Sequence, residues 1–123
     1  MADFRQLKVW QKAHEVTLDV YRVTLQFPKS ELYGLTSQMR RAAISIGSNI
    51  AECGGRNGDG EFRRFIQIAC GSAAELEYQL LVAKDLGYAP TAECENLNSR
   101  LAEVGRMLVS LRESARSASA AIG

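Results

Sequence analysis

Five arginines are the side chains best suited to chemistry in this chain. Arg40, Arg41, Arg56, Arg63 and Arg64 fall within one stretch of the sequence, and a guanidinium offers forked donors that match phosphate oxygens or carboxylates. Gathered around one connection between helices, they would bind the backbone of a nucleic acid. Glu52, Glu75 and Glu77 compete for them, since a carboxylate beside Arg40 or Arg41 removes that guanidinium from any phosphate-binding role. The glutamates themselves make no metal site. Metal centres in helix bundles use Glu-x-x-His, and the single histidine, His14, belongs to another segment. Cys53, Cys70 and Cys94 are widely spaced and odd in number, which fits buried thiols in a reducing compartment rather than a disulfide framework or a zinc site. No Ser-His-acid set is present, so no catalytic residue, metal or cofactor is assigned and the chain reads as a non-enzyme. The glycine-rich run at 54–60, GGRNGDG, does not match GxxxxGK[ST] and follows no strand. It reads as a connection between helices.

The whole molecule sets the setting for those arginines. At 123 residues the chain is one domain's worth, with 15 Lys plus Arg against 14 Asp plus Glu. A net charge of +1 does not announce a polyanion binder, so any basic surface must come from placement. Eleven of the basic residues are arginine. The N-terminus carries charges where a secretory signal needs an apolar run, and no segment approaches the roughly 18 apolar residues of a membrane span. A cytoplasmic protein without membrane contact is expected.

Four amphipathic segments must position the arginines. The first runs over 4–27, with Val9, Ala13, Val16, Val20, Val23 and Phe27 at alternating spacings of four and three, the mark of one helix face. Asp3 and Gln6 are placed as a capping box and Pro28 stops the helix. A second stripe, Leu7, Trp10, Leu18, Tyr21 and Leu25, widens this face beyond one partner helix. Trp10 is therefore assigned to an oligomer interface. Ser30 is expected to cap a second helix from about 31 to 53, with Leu35, Met39, Ala42, Ile46, Asn49 and Cys53 as its stripe. Arg40 and Arg41 point about 100° apart there. Asn49 in an apolar stripe needs partners, so it is assigned a structural polar role together with Glu52, Ser72 and Glu75.

The third helix, 60–86 under an Asp59 cap, carries Phe62, Phe65, Ala69, Ala73, Leu76, Leu80 and Ala83. Its small middle (Ala69, Cys70, Gly71, Ser72, Ala73, Ala74) is expected to pack closely on Ala42, Ala43, Ser45, Gly47 and Ser48. Gly87 ends it, Tyr88 packs back, and Pro90 leads into a fourth helix with Leu97, Leu101, Val104, Leu108, Leu111 and Ala115. Short connections require antiparallel neighbours, hence an all-α, up-down-up-down four-helix bundle over 1–116 with a flexible small-residue tail at 117–123.

The stretches FRQLKVWQKA, FPKSELYGLTSQMRRAAISIGSNIAE and EFRRFIQIACGSAAELEYQL resemble the four-helix-bundle proteins encoded in bacterial 23S rRNA intervening sequences, also called the S23 ribosomal-protein family. The resemblance spans about 4–111 and rests on irregular features in order: Trp10, Phe27-Pro28 with Glu31, the run from Gln38 to Glu52, and Ala69, Gly71, Ser72, Glu75 and Glu77. Where the family usually has glycine after the Ala-Glu pair, this chain has Cys53. The resemblance implies a homopentameric barrel, as in the related accessory protein of diversity-generating retroelements, which binds nucleic acid and a reverse transcriptase. Two functions follow as expectations. The first is binding of rRNA or another single-stranded nucleic acid through the five arginines; the alternative is a scaffold or adaptor that binds a partner protein without touching nucleic acid.

Overall fold

The computed structural model describes residues 3–53 and 59–122, with side chains described over 3–53 and 60–114. Val9, Ala13, Val16, Val20, Val23 and Phe27 are all buried, so the repeat in the first segment is its core face. Each valine or phenylalanine among them contributes roughly 1.5–3 kcal/mol when fully buried. The helix is shorter than the repeat. A 3-10 turn, Phe4–Gln6, precedes α1, Lys8–Thr24, because Leu7 between them is extended. Asp3 caps the opening turn by accepting from the Arg5 N–H at 3.0 Å, rather than through a box with Gln6. At the far end Leu25, Gln26 and Phe27 close i−3 hydrogen bonds, the tightening that ends a helix before proline.

A second 3-10 turn, Lys29–Glu31, precedes α2, Leu35–Cys53. Here the expected Ser30 cap is corrected. Ser30 is exposed, and Glu31 does the capping, its Oε1 accepting from the Leu35 N–H at 3.1 Å. Gly34 permits this, since a Cβ at that position would stand 2.6 Å from Glu31 Oε1. Glu31 Oε2 accepts the Tyr88 hydroxyl at 2.7 Å, and the Tyr88 ring lies 5.4 Å from that of Phe27, centroid to centroid. One carboxylate thus starts a helix and clamps two connections together.

α3, Asp59–Asp85, and α4, Thr91–Ile122, complete the set. After α3 the Tyr88 N–H returns to the Ala83 carbonyl and the Gly87 N–H to that of Lys84, both at 3.0 Å. Gly87 sits at φ +72°, the left-handed position that this helix end requires and glycine adopts without strain. α1 packs on α2 and α4, and α3 on the same two, with the diagonal pairs apart. The result is an antiparallel four-helix bundle with no strand among the described residues. α4 stays helical to Ile122, through the segment read as a tail.

The stripes of α2 and α3 are rotated slightly from those expected. Ile50 is fully buried and Asn49 sits half-buried at the edge, while in α3 Ile66 is buried and Phe62 and Phe65 flank it half-buried. In α4 Leu97, Leu101, Val104 and Leu108 fill the core; the side chain of Ala115 lies outside the described residues. The α2–α3 junction is built on Ala42, Ala43, Ala69 and Ala73, all buried. Ser45 and Ser72 meet across it, Oγ to Oγ at 2.7 Å. Gly47 does not belong to this junction: a Cβ on it would face Trp10 Nε1 of α1 at 3.6 Å. Among the described residues no helix is long and apolar enough to cross a membrane.

Candidate nucleic-acid interface

Arg63 and Arg64 stand in the opening turns of α3, and the antiparallel packing brings Arg112 of α4 beside them. With Gly60 and Gln67 the three arginines line a concavity of about 500 Å³ at this end of the bundle. Few acids offset them closely. Glu61 lies 3.7 Å from Arg64 and Glu113 3.5 Å from Arg112, beyond the length of a good charge-assisted hydrogen bond, and both carboxylates are about half exposed to solvent. The Nε of Arg63 is fully buried with no hydrogen-bond partner. An orphan donor of this kind costs about 1–3 kcal/mol unless something else satisfies it. Gly60 adds the positive end of a long helix to the same concavity, a favourable place for an anion.

The other predicted arginines are placed differently. Arg40 is engaged within the fold: its Nε donates to Thr24 Oγ1 at 2.9 Å, a second nitrogen donates to the Tyr21 carbonyl at 3.3 Å, and the guanidinium lies 4.6 Å from the Tyr21 ring centroid. It binds α2 to the C-terminal turns of α1. Its acceptors are a hydroxyl and a carbonyl, and Glu75 accepts from Gln79 at 3.1 Å. Arg41 is exposed. Both lie in the first half of α2, about 20 Å along the helix from its end at Cys53, so they are not part of the Arg63 cluster. Arg56 lies outside the described residues.

The expected polar network exists in part. Asn49 donates to the Ser45 carbonyl at 2.8 Å and contacts Ser45 Oγ at 3.2 Å, and Ser45 reaches Ser72. Its amide therefore turns back onto its own helix, and the serine pair makes the crossing. Glu52 is exposed on the last turn of α2, and Glu75 is exposed on α3, where it accepts from Gln79. Trp10 is half-buried, stacked on His14 at 4.9 Å and edge-on to Phe4 at 5.0 Å. These rings border a shallow, mostly apolar hollow with Ile44, Gly47 and Ala51.

Cys53, Cys70 and Cys94 are free thiols, with Cys70 only half-buried. Burial pushes all three above the ordinary thiol range, and for Cys70 the nearby Arg112 only partly offsets it. They stay protonated and are poor nucleophiles. Among the described residues no group of three His, Cys, Asp or Glu side chains is placed to hold a metal.

Arg112 was not among the residues singled out by sequence, although a signal for it existed. Gln67 lies twenty residues before Gly87 and Arg112 twenty-two after Pro90, so folding the chain at that turn sets them side by side.

The described residues define the class: an antiparallel four-helix bundle, here with an arginine-lined concavity between α3 and α4. Within that class the chain is a member of the 23S rRNA-intervening sequence protein family, whose profile matches residues 5–110. It is similar to the crystal structure of a protein of unknown function from the S23 ribosomal protein family of Bacteroides thetaiotaomicron, with 24% identity, a TM-score of 0.77, and coverage of 85% of this chain and 97% of that one. At that identity the likeness speaks to the fold. No curated protein matches the chain.

Proposed function

We propose that this protein is a non-enzymatic, self-associating bundle that binds RNA or single-stranded nucleic acid through backbone phosphates, acting in the cytoplasm as a homopentamer of the single domain 1–116. The observation that carries the reading is the concavity shared by Arg63, Arg64 and Arg112 on a chain of net charge only +1. Lys8 and Arg106 border a neighbouring hollow between α1 and α4 at the same end, so the basic side chains are concentrated there. The family's tie to 23S rRNA makes rRNA the natural first ligand to test. Self-association is supported by the Trp10 face, and repeating a modest cluster around a ring would strengthen attraction to a polyanion. Among the described residues no aromatic side chain lines the arginine concavity, the nearby Phe65 ring lying beside Arg64 at 5.6 Å from its guanidinium, which favours backbone contact over base stacking.

Binding isotherms across a salt series test this. Phosphate neutralisation makes log K fall linearly with log salt, and the Arg63→Gln, Arg64→Gln variant should lower that slope by about two while light scattering still gives about five protomer masses. No binding to rRNA fragments or single strands at about 50 mM salt, where such contacts are strongest, rejects the reading. A protein-binding adaptor is the second reading, favoured by Leu25, Leu32, Tyr33 and Leu86, which are 78%, 49%, 93% and 56% exposed at the other end of the bundle. Its complexes would be insensitive to salt.

A further inference from the structure

We infer that the α3–α4 concavity takes a phosphomonoester, the terminal phosphate of a nucleic-acid strand, in preference to an internal phosphodiester. This rests on the nucleic-acid reading above and adds to it which phosphate is held. Three guanidiniums from two helices face one hollow. A terminal phosphate carries about −1.5 to −2 charges at neutral pH and three strong acceptor oxygens, its second pKa lying near 6. An internal diester offers one charge and two free oxygens, so it leaves part of this donor set unanswered.

The shape of the hollow agrees with the charge. Among the described residues its lining holds no aromatic or aliphatic wall for a base or sugar: Gln67 adds a neutral amide, and Gly60 leaves open space where a Cβ would meet nothing within 4 Å. The site is a grip between the flanks of α3 and α4 near this end of the bundle, with α4 running on past it to Ile122. Arg63 is set there with its Nε enclosed and unpartnered, so packing fixes the guanidinium and its two terminal nitrogens are the ones that can reach the hollow. Glu61 and Glu113 flank the hollow at long range from Arg64 and Arg112 and are well solvated, which makes them weak competitors for a dianion.

The test is fluorescence anisotropy on the full chain with one single-stranded RNA sequence carrying a 5′-phosphate, a 3′-phosphate or only hydroxyl ends. At least one phosphorylated strand should bind about tenfold more tightly than the hydroxyl strand, the scale of an added charge-assisted contact. That preference should collapse between about pH 7.5 and 5.5 as the monoester takes up its second proton. Arg112→Gln should abolish the preference while changing hydroxyl-strand affinity by only about two- to threefold, the scale of one lost phosphate contact. Arg64→Gln, at an exposed position, is the second variant that reads the same loss if Arg112→Gln folds poorly. Equal affinity for all three strands overturns the inference and leaves the nucleic-acid reading standing. Failure of every strand to bind overturns both. Inorganic phosphate competing as well as the phosphorylated strand binds would overturn the strand assignment, since the ligand would then be free phosphate.

Discussion

The end of the bundle that carries the α1–α2 and α3–α4 connections is tied across helices by matched polar pairs. Glu31 takes both the Leu35 N–H and the Tyr88 hydroxyl, Gln26 donates to Glu93 at 2.8 Å, and Asp19 is held by Arg22 and Arg100. Burial raises the Asp19 carboxyl, but the hydrogen bonds from the two arginines outweigh it and hold the group below the ordinary carboxylate range. At the opposite end, where α3 begins and α4 passes Arg112, the ion pairs of the described arginines are long, 3.7 Å for Arg64–Glu61 and 3.5 Å for Arg112–Glu113, and the Arg63 Nε has no acceptor. The contrast separates two uses of one residue type. Where arginine has close, well-aimed acceptors it is part of the fold; where its pairs are long, its solvent-facing nitrogens are left for something outside the chain.

The strongest way to break the comparison is to damage the clamped end directly. Phe27 is buried under Tyr88, and Phe27→Ala should cost about 3–5 kcal/mol of stability, the range for a buried aromatic truncated to alanine. Denaturant unfolding should show a lower midpoint with little change in slope. A loss under about 1 kcal/mol would mean that this end is not holding the fold.

Arg40 offers the next largest effect. Arg40→Gln removes donors to Thr24 and the Tyr21 carbonyl and a guanidinium from the Tyr21 ring, and Thr24 is buried. A loss of about 1–2 kcal/mol is expected for hydrogen bonds made by a charged group at a partly exposed site. The salt dependence of nucleic-acid binding should be unchanged. A reduced salt slope with unaltered stability would reverse the assignment and return Arg40 to the binding surface.

The Glu31–Tyr88 pair predicts a pH window. The Leu35 backbone hydrogen bond and then the Tyr88 hydroxyl hold the Glu31 carboxyl below its ordinary value, whereas the Glu31 hydrogen bond pushes the Tyr88 phenol up. A depressed carboxylate stabilises the fold above its unfolded pKa and loses that contribution as pH falls through the folded one. A raised phenol stabilises below its unfolded pKa and loses the contribution as pH climbs through the folded value. Both contributions are intact between about pH 5 and pH 9, inside the ordinary Glu and Tyr values. Unfolding midpoints across pH should decline at both edges, and Tyr88→Phe should remove this pair's share of the alkaline decline. An unchanged alkaline limb in that variant would show that the hydrogen bond is not formed in solution.

Much of this architecture was legible because it depends on period and punctuation. The Val9-to-Phe27 stripe, the Leu97-to-Leu108 stripe, the Gly87 stop and the Ser45–Ser72 junction all follow from spacing, small side chains or a glycine at a turn. What was not legible depends on a few tens of degrees of rotation about a helix axis. That small angle exchanged Asn49 for Ile50 and Phe65 for Ile66, and it turned Gly47 toward Trp10. The candidate site was half legible: Arg63 and Arg64 were visible as neighbours in sequence, but Arg112 needed the register of α4 on α3. The contacts of Arg40 were not legible because its acceptors, a buried threonine hydroxyl and a carbonyl near a helix end, leave no charge pattern in the sequence.

The smallest expected effect is also the one that sharpens the comparison most. Arg63→Gln keeps much of the aliphatic stem and deletes a charge whose Nε is buried without an acceptor. A surface-type arginine removed in this way normally shifts stability by no more than about 0.5 kcal/mol in either direction. Here the removed donor was unsatisfied, so the shift should lie near zero or slightly toward greater stability. Set beside Arg40→Gln, it gives two single substitutions of the same residue type with opposite readouts. Arg40→Gln should lower the unfolding midpoint and spare the salt slope, while Arg63→Gln should spare the midpoint and lower the slope by about one. If Arg63→Gln instead destabilises by about 1.5 kcal/mol or more, on the scale of a lost hydrogen bond to a charged group, the side chain has an acceptor within the folded chain. The basic end would then be as fully occupied by its own contacts as the clamped end is.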